Sequence, residues 1–211
     1  AKFTPAGELT YITYFGGNAD DVAIGLAVDA AGNAYVTGFT NSRNFRTTPS
    51  SFQTTFQGEG RPNQHHQGGD AFVVKLSPAG STLIYSTFLG GILDDRGIAI
   101  AVDKDGNAYV AGQTLSENFP TTAGVVKPRY GRGTSNPVIA GGDAFVTKLN
   151  PTGTQLIFST YLVGIGNDAP SAIQVDPAGN VYVAGATASA DFPSTANVFG
   201  RVYAGAGDDA N

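Results

Sequence analysis

The chain has 211 residues, enough to bury a substantial core. Hydrophobic residues make up 41% but charged residues only 14%, against about 25% in an average soluble domain, while glycine reaches 29 residues and Cys and Met are absent. A net charge of −5 with scattered Lys and Arg excludes a phosphate-binding face, the lack of cysteine excludes disulfides and thiolate metal sites, and no apolar run approaches the roughly 18 residues that cross a bilayer as a helix.

In chain order, the first elements come back twice. AKFTPAG at Ala1 returns as VKLSPAG at Val74 and TKLNPTG at Thr147. VDAAGNAYVTG at Val28 returns as VDKDGNAYVAG at Val102 and VDPAGNVYVAG at Val175, at spacings of 74 and 73 residues and with seven of eleven positions identical. NFRTT, NFPTT and DFPST then align Phe45, Phe119 and Phe192; Phe52, Val126 and Phe199 each follow seven residues later. Three copies of one unit account for the chain, a single repeat array over residues 1–211 with units at 1–69, 70–142 and 143–211.

No stretch carries the 3.6-residue period of an amphipathic helix. Within the second copy, DAFVVKL (Asp70 to Leu76) and TLIYSTFLGG (Thr82 to Gly91) read as strands joined by SPAGS. IAIAVD (Ile98 to Asp103) and NAYVAG (Asn107 to Gly112) read as a tight hairpin around Lys104-Asp105-Gly106. The expectation is an all-β, β-propeller-type repeat: three four-stranded antiparallel blades, one per unit, forming a partial ring or part of a larger propeller. The thirty-odd remaining residues of each copy are expected to lead to the next blade.

DAFVVKLSPAGSTLIYSTFLGG, the acidic GGILDD, AIAVDKDGNAYVAGQT and ENFPTT together resemble the bacterial SBBP β-propeller repeat family, and the VDxxGNxYVxG core looks like the hairpin of NHL-type propellers. The resemblance implies a propeller fold and an extracellular bacterial setting, and it brings no catalytic residue set with it.

Asp103-Lys104-Asp105-Gly106-Asn107 invites comparison with a calcium loop. An EF-hand loop places Gly at position 6 and Glu at position 12; counted from Asp103, Gly106 is position 4 and Thr114 position 12. Asp105 becomes Ala31 and Ala178 in the other copies, whereas Asp29, Asp103 and Asp176 recur with Gly32, Gly106 and Gly179. An Asp followed three residues later by Gly-Asn is what a turn requires.

The acidic pairs Asp20-Asp21 and Asp94-Asp95, matched by Asn167-Asp168, are the candidates for a repeated calcium site, since no other cofactor is implied. The competing reading makes Asp21, Asp95 and Asp168 loop caps. His65 and His66 are adjacent, and on a strand they would face opposite sides. The first two copies carry extra loop residues, among them Glu59, Arg61, His65 and His66 in one and Arg132, Ser135 and Asn136 in the other. Loops that depart from the repeat are the candidate binding surface.

The chain starts at Ala1 and stops near the same point of the repeat, which reads as an excised or processed segment. The partners expected are further blades of a longer parent chain, or a second copy meeting the first head to tail. A protein or glycan ligand is expected in addition, with no nucleic acid and no membrane span. The functional expectation is a non-enzymatic structural or protein-interaction scaffold, extracellular or on the bacterial cell surface. A carbohydrate-binding propeller module is the alternative, with Tyr and Phe as stacking faces, and a polysaccharide-acting hydrolase or lyase comes after it.

Overall fold

The computed structural model describes residues 1–58, 69–131 and 142–200. The candidate loop residues Glu59, Arg61, His65, His66, Arg132, Ser135 and Asn136 lie outside them. Twelve strands follow in order: β1 (Lys2–Phe3), β2 (Leu9–Tyr11), β3 (Asp21–Val28), β4 (Ala34–Thr40), β5 (Asp70–Leu76), β6 (Leu83–Leu89), β7 (Asp95–Val102), β8 (Ala108–Thr114), β9 (Asp143–Leu149), β10 (Leu156–Tyr161), β11 (Asp168–Val175) and β12 (Val181–Thr187). They form four-stranded antiparallel sheets β3-β4-β5-β6 and β7-β8-β9-β10, flanked by the two-stranded sheets β1-β2 and β11-β12. The described fold is all-β.

The sheets run out of step with the sequence units by half a repeat. β3 and β4 come from the first unit, while β5 and β6 of the same sheet come from the second. β4 pairs with β5 through Tyr35 opposite Lys75 and Thr40 opposite Asp70, and β8 pairs with β9 in the equivalent register. The long connector therefore returns the chain to its own sheet, and the short Gly90–Asp94 segment passes to the next one. This departs from the expectation of one blade per unit. The connector is long because it first runs along the outer edge of β6: Thr48 N–H donates to Ser86 O at 3.0 Å and Phe88 N–H to Gln53 O at 3.0 Å. Thr122 and Lys127 do the same for β10. Such straps satisfy main-chain groups that an edge strand otherwise offers to other chains.

The hairpin β3-β4 shows why its sequence recurs. Gly32 has φ +84°, with Gly106 at +81° and Gly179 at +89°, which side-chain-bearing residues adopt at a cost. Each first strand carries an irregularity at the same place, between Ala23 and Gly25, Gly97 and Ala99, and Pro170 and Ala172. A Cβ on the facing Gly38, Gly112 or Gly185 would collide with the carbonyl of Val22, Arg96 or Ala169, so the last Gly of VTG or VAG is required by backbone approach.

The sheets stack face to face, with β7 packed on β3, β4 and β5 on one side and on β11 on the other. Tyr35, Val73, Tyr85 and Leu89 of the first sheet meet Ile100, Val110, Phe145 and Leu149 of the second in one buried cluster. Ala101, Tyr109 and Val146 meet Ile173 of the next. Tyr35, Tyr109, Phe72, Phe145 and Leu89 are among the largest fully buried side chains, so repeat-position aromatics serve as core.

Candidate functional site

The β-register brings the acidic residues into rows. Across the first sheet Asp21, Thr40 and Asp70 lie opposite one another; across the second, Asp95, Thr114 and Asp143; in the third, Asp168 faces Thr187. Directly opposed positions place their side chains on the same face. Asp70, Asp95 and Asp143 are 0% exposed and Asp168 is 1% exposed.

The first member of each row caps the loop before it. Asp21, Asp95 and Asp168 Oδ2 accept from the N–H of Gly17, Gly91 and Gly164 at 2.7, 2.7 and 2.9 Å. The same oxygens accept from the hydroxyls of Ser42, Ser116 and Ser189 at 3.0, 2.9 and 2.9 Å. The Thr40 hydroxyl bonds Asp21 Oδ1. The neighbours Asp20 and Asp94 use main-chain oxygens, which accept from Asn41 and Leu115 N–H at 2.8 Å each. Among the described residues, no three His, Cys, Asp or Glu side chains come together to hold a metal ion.

Rows of successive sheets meet at a junction. Asp95 N–H donates to Gly69 O at 2.8 Å, tying the start of β7 to the start of β5. A Cβ on Gly90 would touch both Asp70 Oδ1 and Asp95 Oδ2, so two buried carboxylates share a space that admits no side chain between them. Asp70 Oδ2 accepts from Gln57 N–H at 2.8 Å and Gln53 Nε2 at 3.3 Å, while its Oδ1 is buried without a partner. Burial pushes Asp70 up to about 7 against the backbone hydrogen bonds of Gln57 and Gly58. Burial pushes Asp95 up to about 8 despite bonds from Thr114, Gly91 and Ser116, and the negative charge of Asp70 adds to it. Asp70 and Asp143 were invisible as site residues in the sequence. Their only signal was the recurrence of Asp at the head of DAFV.

A second constellation closes each hairpin. Asp29 accepts from Asn33 N–H at 2.9 Å, Asn33 Nδ2 at 2.8 Å and Tyr35 Oη at 3.1 Å. Asp103 repeats this with Asn107 and Tyr109, and Asp176 with Asn180 and Tyr182. Lys75 Nζ lies 3.8 Å from Asp29 and 4.7 Å from the Tyr35 ring centre; Lys148 lies 3.5 Å from Asp103 and 4.7 Å from the Tyr109 ring. Burial works against ionisation of Asp29, but the Asn33 bonds, Tyr35 and Lys75 outweigh it and hold the carboxyl below its ordinary range. Asp105 points outward to Lys104 at 2.8 Å, and its N–H donates to Asp103 Oδ1 at 3.0 Å. The segment is a turn.

The profile of the SBBP β-propeller repeat matches the chain three times, at residues 10–46, 84–120 and 157–193, together more than half of its length. The chain belongs to the SBBP β-propeller repeat family. A search of curated proteins finds no match. Each SBBP match begins on or beside the outer strand of one sheet (β2, β6, β10) and ends just past the inner hairpin of the following one. The SBBP repeat thus straddles the junction where Asp70 meets Asp95.

Proposed function

We propose that this SBBP chain is a non-enzymatic scaffold, working outside the cell or on a bacterial cell surface as a rigid building or docking element for other proteins. The observation that carries the reading is the use of the recurrent aspartates. Asp95 and Asp168 are buried and bonded to a Gly N–H of the preceding loop and to a Ser hydroxyl just past the paired strand, in positions closed to a substrate. Strongly shifted carboxyls mark active sites when they face a cleft; Asp70 and Asp95 face each other inside a sheet junction. The extracellular placement is supported by the low charged content and the 29 glycines, together with the setting that the family resemblance implies.

The test is incubation with a panel of polysaccharides, reading new reducing ends or unsaturated products. The scaffold reading expects none. Turnover that disappears in an Asp94→Asn, Asp95→Asn double variant would establish a hydrolase or lyase in its place. A sugar-binding reading needs exposed aromatic faces; at the repeat position Tyr35 and Tyr109 are 0% exposed, and only Tyr182 of the third copy is exposed, so no repeated stacking row is formed. A glycan array is expected to stay blank, whereas protein partners are expected in crosslinking at the cell surface.

A further inference from the structure

The junction between the two four-stranded sheets is fastened differently at its two ends. At the hairpin end, Tyr35 Oη of β4 donates to Gly106 O of the second sheet at 3.3 Å. At the other end, Asp95 N–H donates to Gly69 O at 2.8 Å, and beside that bond the carboxyls of Asp70 and Asp95 meet at Gly90. Both side chains are wholly buried. Asp70 Oδ2 takes the donors of Gln57 and Gln53, and Asp95 Oδ2 takes those of Gly91 and Ser116. Asp70 Oδ1 takes none, and it borders the same gap at Gly90 as Asp95 Oδ2. Two carboxylates placed this way repel, and one proton between them turns repulsion into attraction.

The charged and titratable groups around the gap have other engagements. Arg96, beside Asp95 on β7, turns its guanidinium over the Phe39 ring at 4.9 Å. Arg43 lies over the Phe56 ring at 5.8 Å, and Lys75 serves Asp29 at the far end of β5. Asp21, in the same row on β3, is bonded by Gly17, Thr40 and Ser42. Tyr161 of β10 donates its hydroxyl to Ser116 O at 2.8 Å. The next junction is built otherwise. Val163, wholly buried, holds the position of Gly90 there, and Asp168 N–H donates to Gly142 O at 3.4 Å.

We propose that the first junction is a clasp, closed by a proton shared between Asp70 and Asp95, with the Tyr35 end as its hinge. When a solvent base takes the proton, two neighbouring carboxylates are left in a dry gap, where their repulsion is strong. The Gly69–Asp95 bond then parts and water enters to solvate the charges, while Tyr35 and Gly106 stay joined. Burial, which pushes both carboxyls above their ordinary range, acts in the same sense. The opening is local, and it carries the Gly90–Asp94 segment with it. The clasp does not rest on the scaffold reading and survives its failure.

Amide hydrogen exchange on the full 211-residue chain, read by NMR, follows the clasp at one bond, Asp95 N–H to Gly69 O. The protection factor of Asp95 is expected to fall roughly tenfold or more between about pH 6 and about pH 9. That of Asp168, at the junction with Val163, is expected to stay level. Asp70→Asn is the deciding variant. Its amide oxygen keeps the bonds from Gln57 and Gln53, and its amide nitrogen replaces the protonated Oδ1 as a donor toward Asp95. The variant is expected to keep the parent melting curve at the acid end and to hold the Asp95 protection level across the range. A parent protection indifferent to pH, a fall shared equally by Asp168, or an Asp70→Asn variant that loses protection as the parent does would overturn the proposal.

Discussion

Asp70 of the first sheet and Asp95 of the second face one another across the sheet junction, both wholly buried, with only the hydrogens of Gly90 between them. Among the described residues, no lysine or arginine neutralises them in the way Lys75 and Lys148 serve Asp29 and Asp103. The pair is accommodated by protonation, since burying an uncompensated carboxylate costs more than keeping its proton. The junction is thereby made sensitive to pH in a direction opposite to that of the hairpin turns.

The turns give the first prediction. Tyr109 is 0% exposed and donates to Asp103 at 2.9 Å, whereas Tyr182 makes the equivalent bond at 3.2 Å while 59% exposed. Tyr109→Phe is expected to cost about 1–2 kcal/mol, because the half-buried Asp103 loses the donor supplied by a fully buried side chain. Tyr182→Phe is expected to leave the stability essentially unchanged, because water replaces the bond. Urea unfolding of the two variants checks the contrast; equal losses would contradict it.

Backbone approach gives the second. A methyl group on Gly112 would collide with Arg96 O and the Phe145 ring. Gly112→Ala is expected to destabilise by about 2–4 kcal/mol, as overpacking against backbone leaves no room to relax. Gly124→Ala is the control, having open space but φ +75°, and is expected to cost about 1 kcal/mol through backbone strain alone. Thermal melts that rank the two the other way would contradict the account.

The half-repeat offset gives the third. Val36 of β4 lies opposite Val74 of β5, in one buried cluster, although they belong to successive sequence units. The chain has no cysteine, so a Val36→Cys, Val74→Cys pair reports on this pairing alone. Opposed positions stand close enough for a disulfide, and oxidation is expected to crosslink the folded protein without loss of structure. A folded protein in which these thiols stay free, while cysteines on β6 and β7 crosslink, would restore the one-blade-per-unit arrangement.

Much of this fold was legible. DAFVVKL is β5 residue for residue, and the second strand differs from TLIYSTFLGG only at its ends, because both are short apolar stretches rich in β-branched and aromatic residues and bounded by turn residues. The hairpin strand β7 begins at Asp95, three residues before the apolar run from Ile98, since the irregularity at Gly97 interrupts the alternation that marks a strand. The phase of the sheets was not legible. A repeat gives the cyclic order of strands, and which neighbours join into one sheet is decided by the course of the strap past β6. The same limit hid half of the candidate site. Asp21, Asp95 and Asp168 recur beside loop glycines and show their local capping role, but the meeting of Asp70 with Asp95 is a contact between sheets that no spacing encodes.

The measurement that tests the structural role of these aspartates most directly is the melting temperature as a function of pH for the parent chain and for Asp95→Asn. Folded-state values of about 7 and about 8, against an ordinary 3.8, mean that the folded chain binds more protons than the unfolded chain across that interval. The contribution of the pair is therefore fully present below the ordinary value and is lost as pH rises toward about 8. Asp29 and Asp103, held low, contribute in the opposite sense, losing their stabilisation as pH falls below the ordinary carboxylate range. The account predicts a parent melting temperature that declines from weakly acidic to weakly alkaline pH, and a clearly flatter curve for Asp95→Asn, with the variant the more stable of the two at the alkaline end. A parent curve that rises through this interval, or a variant that keeps the full slope, would contradict it.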